Sequence, residues 1–152
     1  MIIRQFRESD AREVSELIVH CLKEINAKYY TDDVIEKLIE VHSPEEIVKR
    51  SKNQLVLVAD QYDDIIGTAT VKFSSNYFGS VFVHPDFQGR GIGKRLMENL
   101  EDLIAQNGRN MVEIHASLNA VEFYEKIGYE RKRLIEDEDF GKSYLMIKKL
   151  NE

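Results

Sequence analysis

Three glycines alternate with polar and basic residues between Gln88 and Lys94, and this segment is the best candidate for binding chemistry. It reads Gln88-Gly89-Arg90-Gly91-Ile92-Gly93-Lys94 and leads from an apolar strand into an amphipathic helix. Backbone N–H groups at a helix N-terminus lack helical partners and lie at the positive end of the helix dipole, so they suit a phosphate. Glycine lets the backbone approach the anion closely. The segment therefore predicts a site for a phosphate-bearing ligand.

The spacing of this loop excludes two common phosphate-binding motifs. A Walker loop needs glycine five residues before Gly93 and Ser or Thr after Lys94, but Gln88 and Arg95 occupy those positions. A dinucleotide fingerprint needs a third glycine where Lys94 stands. On the glycines alone, a glycine-rich turn with a solvated cationic surface is an equal alternative.

Composition limits the class of protein. The chain has 152 residues and a formal net charge of -6, so we expect one domain over residues 1–152 and no nucleic-acid partner. The single cysteine, Cys21, excludes an internal disulfide, and no metal site is expected. No apolar run approaches the ~18 residues of a membrane helix, and Met1–Phe6 does not resemble a signal peptide. We expect a cytoplasmic protein without a membrane partner.

The first third of the chain predicts a strand followed by helices. Residues Ile2–Phe6 form the strand. Apolar residues at helical spacing predict a helix that begins after Ser9 or Asp10, and a second helix that begins near Thr31. The run Ser43-Pro44-Glu45-Glu46 supplies an N-cap, a proline at the first helical position and a glutamate at the third. It predicts a short helix that ends near Lys52.

The rest of the chain predicts strands and helices in alternation. In order, these are strands 55–59, 65–73 and 77–83 (with a bulge at Gly79), a helix that follows the loop and ends at Gly108, strand 111–115, helix 119–126 ended by Gly128, and strands 129–134 and 143–149. Three consecutive strands predict antiparallel pairing, and a strand–helix–strand unit predicts a parallel crossover. We expect an α/β fold with a mixed sheet.

Two segments together resemble the GNAT superfamily of acetyl-CoA-dependent N-acetyltransferases. The first is Gln88–Gly93, which matches the signature Q/R-x-x-G-x-G/A. The second is Ala116–Tyr129, in which an alanine is followed by Phe-Tyr-Glu-Lys and then Gly-Tyr. The resemblance covers nearly the whole chain in element order, although the first 50 residues match loosely. It implies a three-layer fold with a mostly antiparallel sheet and a parallel, splayed central strand pair.

The resemblance also implies an acetyl-CoA or CoA site. The backbone amides from Gln88 to Lys94 would hold the pyrophosphate. Main-chain groups of Phe82 and Val83 would pair with the pantetheine arm. Ser117 stands where many relatives carry an asparagine that touches this arm. Asn119 is equally well explained as a cofactor contact or as a helix cap. The implied cofactor-binding residues are thus Phe82, Val83, Gln88, Gly89, Arg90, Gly91, Gly93, Lys94, Ser117 and Asn119.

Tyr124 matches the family position of the acid that protonates the departing thiolate. A phenol with its ordinary pKa of about 10 is protonated at neutral pH, as this role requires; the alternative is a core aromatic. Glu113 and His115 share one face of a strand, and either is a candidate base for the attacking amine. The alternatives are a solvated strand position for Glu113 and an ordinary polar residue for His115.

The acceptor is expected to be a primary amine on a small molecule or a peptide. The resemblance places it between the first two helices and the strands opposite the cofactor, near Tyr29, Tyr30 and Glu24. Homodimers are common in the family. Some members carry a catalytic glutamate before the cofactor loop, and none stands between Tyr77 and Val83. A non-catalytic CoA-binding sensor is therefore the alternative function.

Overall fold

The computed structural model describes residues 1–72, 77–78 (backbone only) and 81–150. Its helices are α1 (Ala11–Glu24), α2 (Asp32–Glu40), α3 (Pro44–Ser51), α4 (Ile92–Gln106) and α5 (Val121–Lys126). Its strands are β1 (Ile2–Gln5), β2 (Leu55–Gln61), β3 (Asp64–Val71), β4 (Tyr77–Phe78), β5 (Val81–Val83), β6 (Met111–Ser117), β7 (Glu130–Asp137) and β8 (Gly141–Lys149).

The strands form two four-stranded sheets. One has the order β1-β2-β3-β5 with antiparallel neighbours. The other has the order β4-β6-β8-β7, and β4 runs parallel to β6. Because β4 pairs with β6 while β5 pairs with β3, the central strands separate in the direction of the loop at Gln88. The prediction of a mostly antiparallel fold with a parallel, splayed central pair is confirmed.

Two apolar cores lie on opposite faces of β2 and β3. Alternate residues of a strand point to opposite faces, so Leu57 and Ala59 pack with α4 while Val58 packs with α1. The α4 core contains the fully buried Leu96, Met97, Leu100 and Ile104. The α1 core adds residues of α2 and α3. The sheet is therefore held between α4 and the first three helices.

The predicted starts of α1, α2 and α3 are confirmed, but Asp10 does not supply a side-chain cap. The Ser43 hydroxyl accepts from the N–H of Glu46 at 3.2 Å, and the Thr31 hydroxyl accepts from the N–H of Val34 at 3.4 Å. Asp10 precedes α1 but makes no side-chain cap. Its carboxylate instead accepts from Arg4 at 2.9 Å and from the N–H of Arg7 at 2.8 Å.

Several strand boundaries differ from the prediction. Strands β2 and β6 each extend two residues further, to Gln61 and Ser117. The final hairpin is longer than predicted, because the Asp137 side chain turns it by accepting from the N–H groups of Asp139 and Phe140. The predicted strand 77–83 is described as β4 and β5. The predicted bulge at Gly79, and Phe73 at the end of the preceding strand, lie outside the described residues.

Candidate functional site

The main chain of Val83 faces the gap between β5 and β6. The N–H of His84 donates to the carbonyl of Ile66 on β3 at 2.8 Å. Hydrogen-bonded and non-hydrogen-bonded pairs alternate along an antiparallel ladder. The N–H and C=O of Val83, which lies opposite Gly67, therefore point away from β3. This strand end can pair with an extended ligand, as a further strand would.

Two side chains donate to the Val83 carbonyl. Gln88 Nε2 lies 2.7 Å from that oxygen and Cys21 Sγ lies 3.2 Å from it. Burial raises the pKa of the Cys21 thiol to about 12, so the thiol remains a neutral donor at pH 7. The two bonds fix the end of β5 against α1 and against the start of the glycine loop.

The loop glycines fall into two kinds. Gly89 and Gly91 have φ of 76° and 80°, and a Cβ at either would have nothing within 4 Å. These two positions need glycine for the backbone turn, and they leave the loop surface open. At Gly93 a Cβ would lie 3.0 Å from Cζ of Phe123, so this glycine allows α4 to pack closely on α5.

The N-terminus of α4 presents free N–H groups beside these glycines. The first helical bond runs from the N–H of Arg95 to the carbonyl of Gly91 at 3.1 Å. The N–H groups that precede Arg95 in this turn have no acceptor within the helix. With Lys94 alongside, these N–H groups are available to an anion.

A cavity of about 800 Å³ joins the loop, the gap and the space beneath α1 to α3. It brings together most of the predicted site residues: Phe82, Val83, Gln88, Gly89, Gly91, Gly93, Lys94, His115, Ser117, Asn119 and Tyr124. Arg90 and Glu113 do not line it. Arg90 packs over the ring of Phe87, 5.0 Å from the ring centroid.

Tyr124 lies in the wall of this cavity and is 7% exposed. Its ring makes edge-on contacts with Phe123 and Tyr129, at centroid distances of 5.1 and 5.5 Å. The ring is thus held among aromatic neighbours.

Residues of β6 that share the face of Glu113 differ in their access to the cavity. Glu113 lies in the ladder between Tyr77 and Ile147. His115 and Ser117 lie nearer the open end and line the cavity. Burial lowers the pKa of His115, and the charge of Arg133 lowers it further, while Glu113 opposes this shift. His115 is therefore neutral at pH 7.

Asn119 follows β6 and makes no side-chain cap on α5. Its Oδ1 atom is buried without a hydrogen-bond partner among the described residues. Since buried polar atoms are rarely left unpaired, this atom fits better as a ligand contact than as a helix cap.

Comparison with known proteins assigns the chain to a family. A family model described as an acetyltransferase (GNAT) domain matches residues 26–149. The chain belongs to the GNAT family of acetyltransferases. Members of this family use acetyl-CoA as their cosubstrate, so the cofactor prediction is confirmed.

Solved GNAT structures share the fold over the whole chain. A GCN5-related N-acetyltransferase from Rhodopseudomonas palustris is 26% identical, with a TM-score of 0.91 over 98% of this chain and 95% of that one. The PaiA N-acetyltransferase from Thermoplasma acidophilum, solved with coenzyme A, is 24% identical, with a TM-score of 0.83 over 97% and 98%. A putative acetyltransferase from Salmonella typhimurium, solved with acetyl-CoA, is 21% identical, with a TM-score of 0.70 over 100% and 95%.

The end of this cavity near α2 and α3 contains residues that the sequence does not single out. His42, Arg50 and Gln54 line it, from the turn after α2 and the end of α3. No short motif contains them, because the helices bring them to β5 from about 30 to 40 residues away. Arg50 donates to the carbonyl of Val41 in the preceding turn. This contact depends on how α3 packs on the turn, so the sequence alone gives no sign of it.

Tyr30 connects the two sides of the GNAT cavity. Its hydroxyl donates to the carbonyl of Lys142 at 2.6 Å and accepts from the N–H of Leu118 at 2.9 Å. Tyr30 therefore holds the segment after α1 against the final hairpin. Tyr29 and Glu24 are exposed and do not line the cavity.

Two negative findings concern the described residues. No three His, Cys, Asp or Glu side chains in this part of the chain lie close enough together to hold a metal ion. None of the described helices is both long and apolar enough to cross a membrane.

Proposed function

We propose that this chain is a single-domain N-acetyltransferase that transfers the acetyl group of acetyl-CoA to a primary amine on a small molecule or peptide. One observation carries the proposal. The glycine loop, the outward-facing main chain of Val83 and the side chain of Tyr124 all line one cavity. One cavity therefore offers N–H groups for an anion, a strand edge for an extended ligand and a phenol that can act as an acid. The expected homodimer and cytoplasmic location stay predictions.

The residues of the loop fit the cofactor. The N-terminus of α4 offers backbone N–H groups and the positive end of a helix dipole to a pyrophosphate. Gly89 and Gly91 leave the surface of the loop open. Arg90 and Lys94 supply positive charge. The main chain of Val83 offers strand-like pairing to the pantetheine arm, whereas the N–H and C=O of Phe82 point to Thr68 on β3. Ser117 and the Oδ1 of Asn119, which has no partner among the described residues, offer polar contacts.

Acetyl-CoA, when bound, supplies an activated thioester. The Val83 N–H, which points into the gap, would donate to the carbonyl oxygen that gains negative charge during attack. Tyr124 would donate its hydroxyl proton to the departing sulfur. This proton transfer favours breakdown of the tetrahedral intermediate to products, because a sulfur that is protonated as it departs is a better leaving group than a thiolate.

The attacking amine must first lose a proton, since an alkylammonium has a pKa of about 10.4. His115 is neutral in this environment and lines the cavity, so it would accept that proton directly or through water. Glu113, behind it on the same strand face, would support the positive charge that His115 then gains. The amine would attack the thioester directly, without a covalent enzyme intermediate. Cys21 is a neutral thiol that donates to Val83, so it does not offer a thiolate nucleophile.

The first test is thermal unfolding with acetyl-CoA, CoA, ATP or NAD. A ligand at 100 times its Kd adds roughly 2.7 kcal/mol, which corresponds to about 5–10 °C in a domain of this size. A shift with acetyl-CoA and CoA alone, followed by amine-dependent thiol release, is the expected result. No shift with either, or a shift with ATP or NAD alone, would contradict the proposal.

A further inference from the structure

The inner end of the cavity is a polar corner made by His42, Arg50 and Gln54, called here the Arg50 corner. Arg50 and Gln54 lie at and after the end of α3, and His42 lies in the turn that precedes it. All three line the cavity that contains Val83 and Tyr124. Neither the proposed cofactor site nor the proposed catalytic residues use this corner.

Arg50 is a half-buried cation without a carboxylate partner in the described chain. Its Nη2 atom donates to the carbonyl of Val41 at 2.6 Å. The Glu46 carboxylate, one turn earlier, forms its ion pair with Lys49 at 3.7 Å. Burial lowers the pKa of Arg50 and the charge of Glu46 opposes this shift, yet a guanidinium remains protonated in proteins. A charge that is partly removed from water with no carboxylate in hydrogen-bond contact is costly, so the corner favours an anion.

His42 presents an acceptor between Arg50 and the slot. Its Nδ1 atom lies 2.7 Å from the carbonyl of Leu38, and a carbonyl only accepts, so Nδ1 carries the proton. The Nε2 atom is then an acceptor, and the described residues give it no partner. The ring packs edge-on against Phe82 at a centroid distance of 5.6 Å. Phe82 is followed directly by Val83.

A second polar atom in the corner also lacks a partner. Gln54 Oε1 is buried and accepts no hydrogen bond within the described chain. A cation with no contacting carboxylate and two acceptors with no donor among the described residues therefore line the same cavity. Such a cluster is the complement of a ligand that carries both a carboxylate and N–H donors.

The remaining charges of the cavity do not suit a polycation. Its described lining contains the cations Arg50, Lys94, Lys126 and Lys142 and one carboxylate, Asp137. Asp137 already accepts from the N–H groups of Asp139 and Phe140. Apolar side chains cover much of the rest of the acceptor side, including Leu22, Ile25, Leu38, Ile135 and Phe140.

We propose that the acetyl acceptor is an amino carboxylate with an apolar body, whose carboxylate binds Arg50 while its amine faces Val83 past His42. This inference rests on the proposed N-acetyltransferase function. It names the class of acceptor and assigns Arg50 as the residue that determines specificity.

The test compares matched acceptors with and without the carboxylate. Leucine is paired with leucinamide, and 6-aminohexanoate with hexylamine, so two spans between amine and carboxylate are covered. Thiol release gives kcat/KM for wild type, Arg50→Gln and Arg50→Lys. Lys49→Gln is the control, because it makes the same charge change on the exposed side of α3. Binding of CoA, measured in parallel, reports whether each variant is folded.

The expected preference of the wild type for the carboxylate member of at least one pair is about 10- to 100-fold, the range for a charged hydrogen bond. Arg50→Gln should abolish this preference with unchanged CoA affinity. Arg50→Lys should retain part of it, and Lys49→Gln all of it. The inference is wrong if wild type uses leucinamide and hexylamine as efficiently as their partners, or if Arg50→Gln lowers both members of a pair equally.

A binding measurement separates this inference from the proposed function. Calorimetry of N-acetyl-leucine and N-acetyl-leucinamide, with CoA present, requires no turnover. If no amine is acetylated, the transferase proposal fails. Tighter binding of N-acetyl-leucine than of its amide by wild type, lost in Arg50→Gln, would still support an anion site at Arg50. Equal binding of the two compounds, and likewise of 6-acetamidohexanoate and its amide, would contradict that site.

Discussion

The side-chain amide of Gln88 donates to the main-chain carbonyl of Val83 at 2.7 Å. This bond joins the first residue of the glycine loop to Val83, the last residue of β5. The thiol of Cys21 donates to the same carbonyl from α1. The loop and the slot are therefore positioned relative to each other before any ligand arrives, and such preorganisation lowers the cost of binding.

Gln88→Ala should weaken CoA binding about 2- to 10-fold, the equivalent of one neutral hydrogen bond. Gln88→Glu should weaken it more, because a carboxylate would face the Val83 carbonyl and add negative charge beside the pyrophosphate site. Calorimetric titration with CoA measures both. Asn99→Ala, which removes a side-chain bond to the Arg95 carbonyl on the exposed surface of α4, is the matched control. Wild-type affinity in Gln88→Glu would contradict this role.

Gly93→Ala should destabilise the fold through Phe123. A Cβ at this position would lie 3.0 Å from Cζ of that ring, and overpacking typically costs about 1–3 kcal/mol. The better helix propensity of alanine returns up to about 1 kcal/mol. Urea denaturation of Gly93→Ala, Phe123→Leu and the double variant measures the coupling. The double variant should be more stable than the sum of the single effects predicts, whereas simple additivity would mean that the two residues do not clash.

Acid should destabilise the protein partly through His42. Burial, and to a smaller extent the charge of Arg50, lowers the pKa of His42 to about 4, whereas an unfolded histidine has a pKa near 6.5. The unfolded chain therefore binds this proton first as the pH falls. The contribution is fully present above about pH 6.5 and is lost toward pH 4, by roughly 2–3 kcal/mol between pH 6.5 and 4.5.

The variant His42→Asn keeps a donor for the Leu38 carbonyl but cannot titrate. Its free energy of unfolding, measured by urea denaturation, should fall less than that of wild type between pH 6.5 and 4.5. Because both proteins share every other titrating group, the difference between their slopes isolates His42. Parallel slopes would show that the ring is accessible to protons in the folded state.

Tyr129→Phe should cost about 1.5–3 kcal/mol, the range for a hydrogen bond to a charged group. The buried hydroxyl of Tyr129 donates to Oε2 of Glu101 at 2.8 Å, and Lys148 donates to Oε1 of the same carboxylate at 3.0 Å. Burial and the negative charge of Glu101 raise the pKa of the phenol, so it remains a donor. Tyr62→Phe, at a side chain that is 94% exposed, is the control for urea denaturation. Equal stability of the two variants would remove Tyr129 from this network.

Local signals in the sequence predicted local structure well. The Ser43 cap and the start of α2 after Thr31 are each decided within four or five residues, so spacing alone indicates them. The absence of a side-chain cap at Asp10 could not be predicted, because Arg4 and the N–H of Arg7 occupy its carboxylate. The end of β7 was predicted too early, since Glu136 and Asp137 are charged and exposed on an outer strand.

Within the candidate site, too, local features were predicted and those that depend on tertiary packing were not. The glycine loop and Tyr124 lie in short motifs with fixed spacing. The Arg50 corner depends on packing of α3 and the turn before it near β5, and no local pattern encodes that contact. The sequence predicted that Glu113 and His115 share one face of β6, but it did not predict how far each lies from the open end of the strand. Only His115 reaches the cavity.

The central claim is that Tyr124 acts as the acid in acetyl transfer. The most direct test is kcat of Tyr124→Phe, with the acceptor that gives the fastest thiol release and with CoA affinity measured on the same preparations. We expect kcat to fall about 10²-fold, the lower end of the range for a positioned acid, while CoA affinity stays within about twofold because only the hydroxyl is removed. Wild-type kcat in this variant would contradict the role of Tyr124.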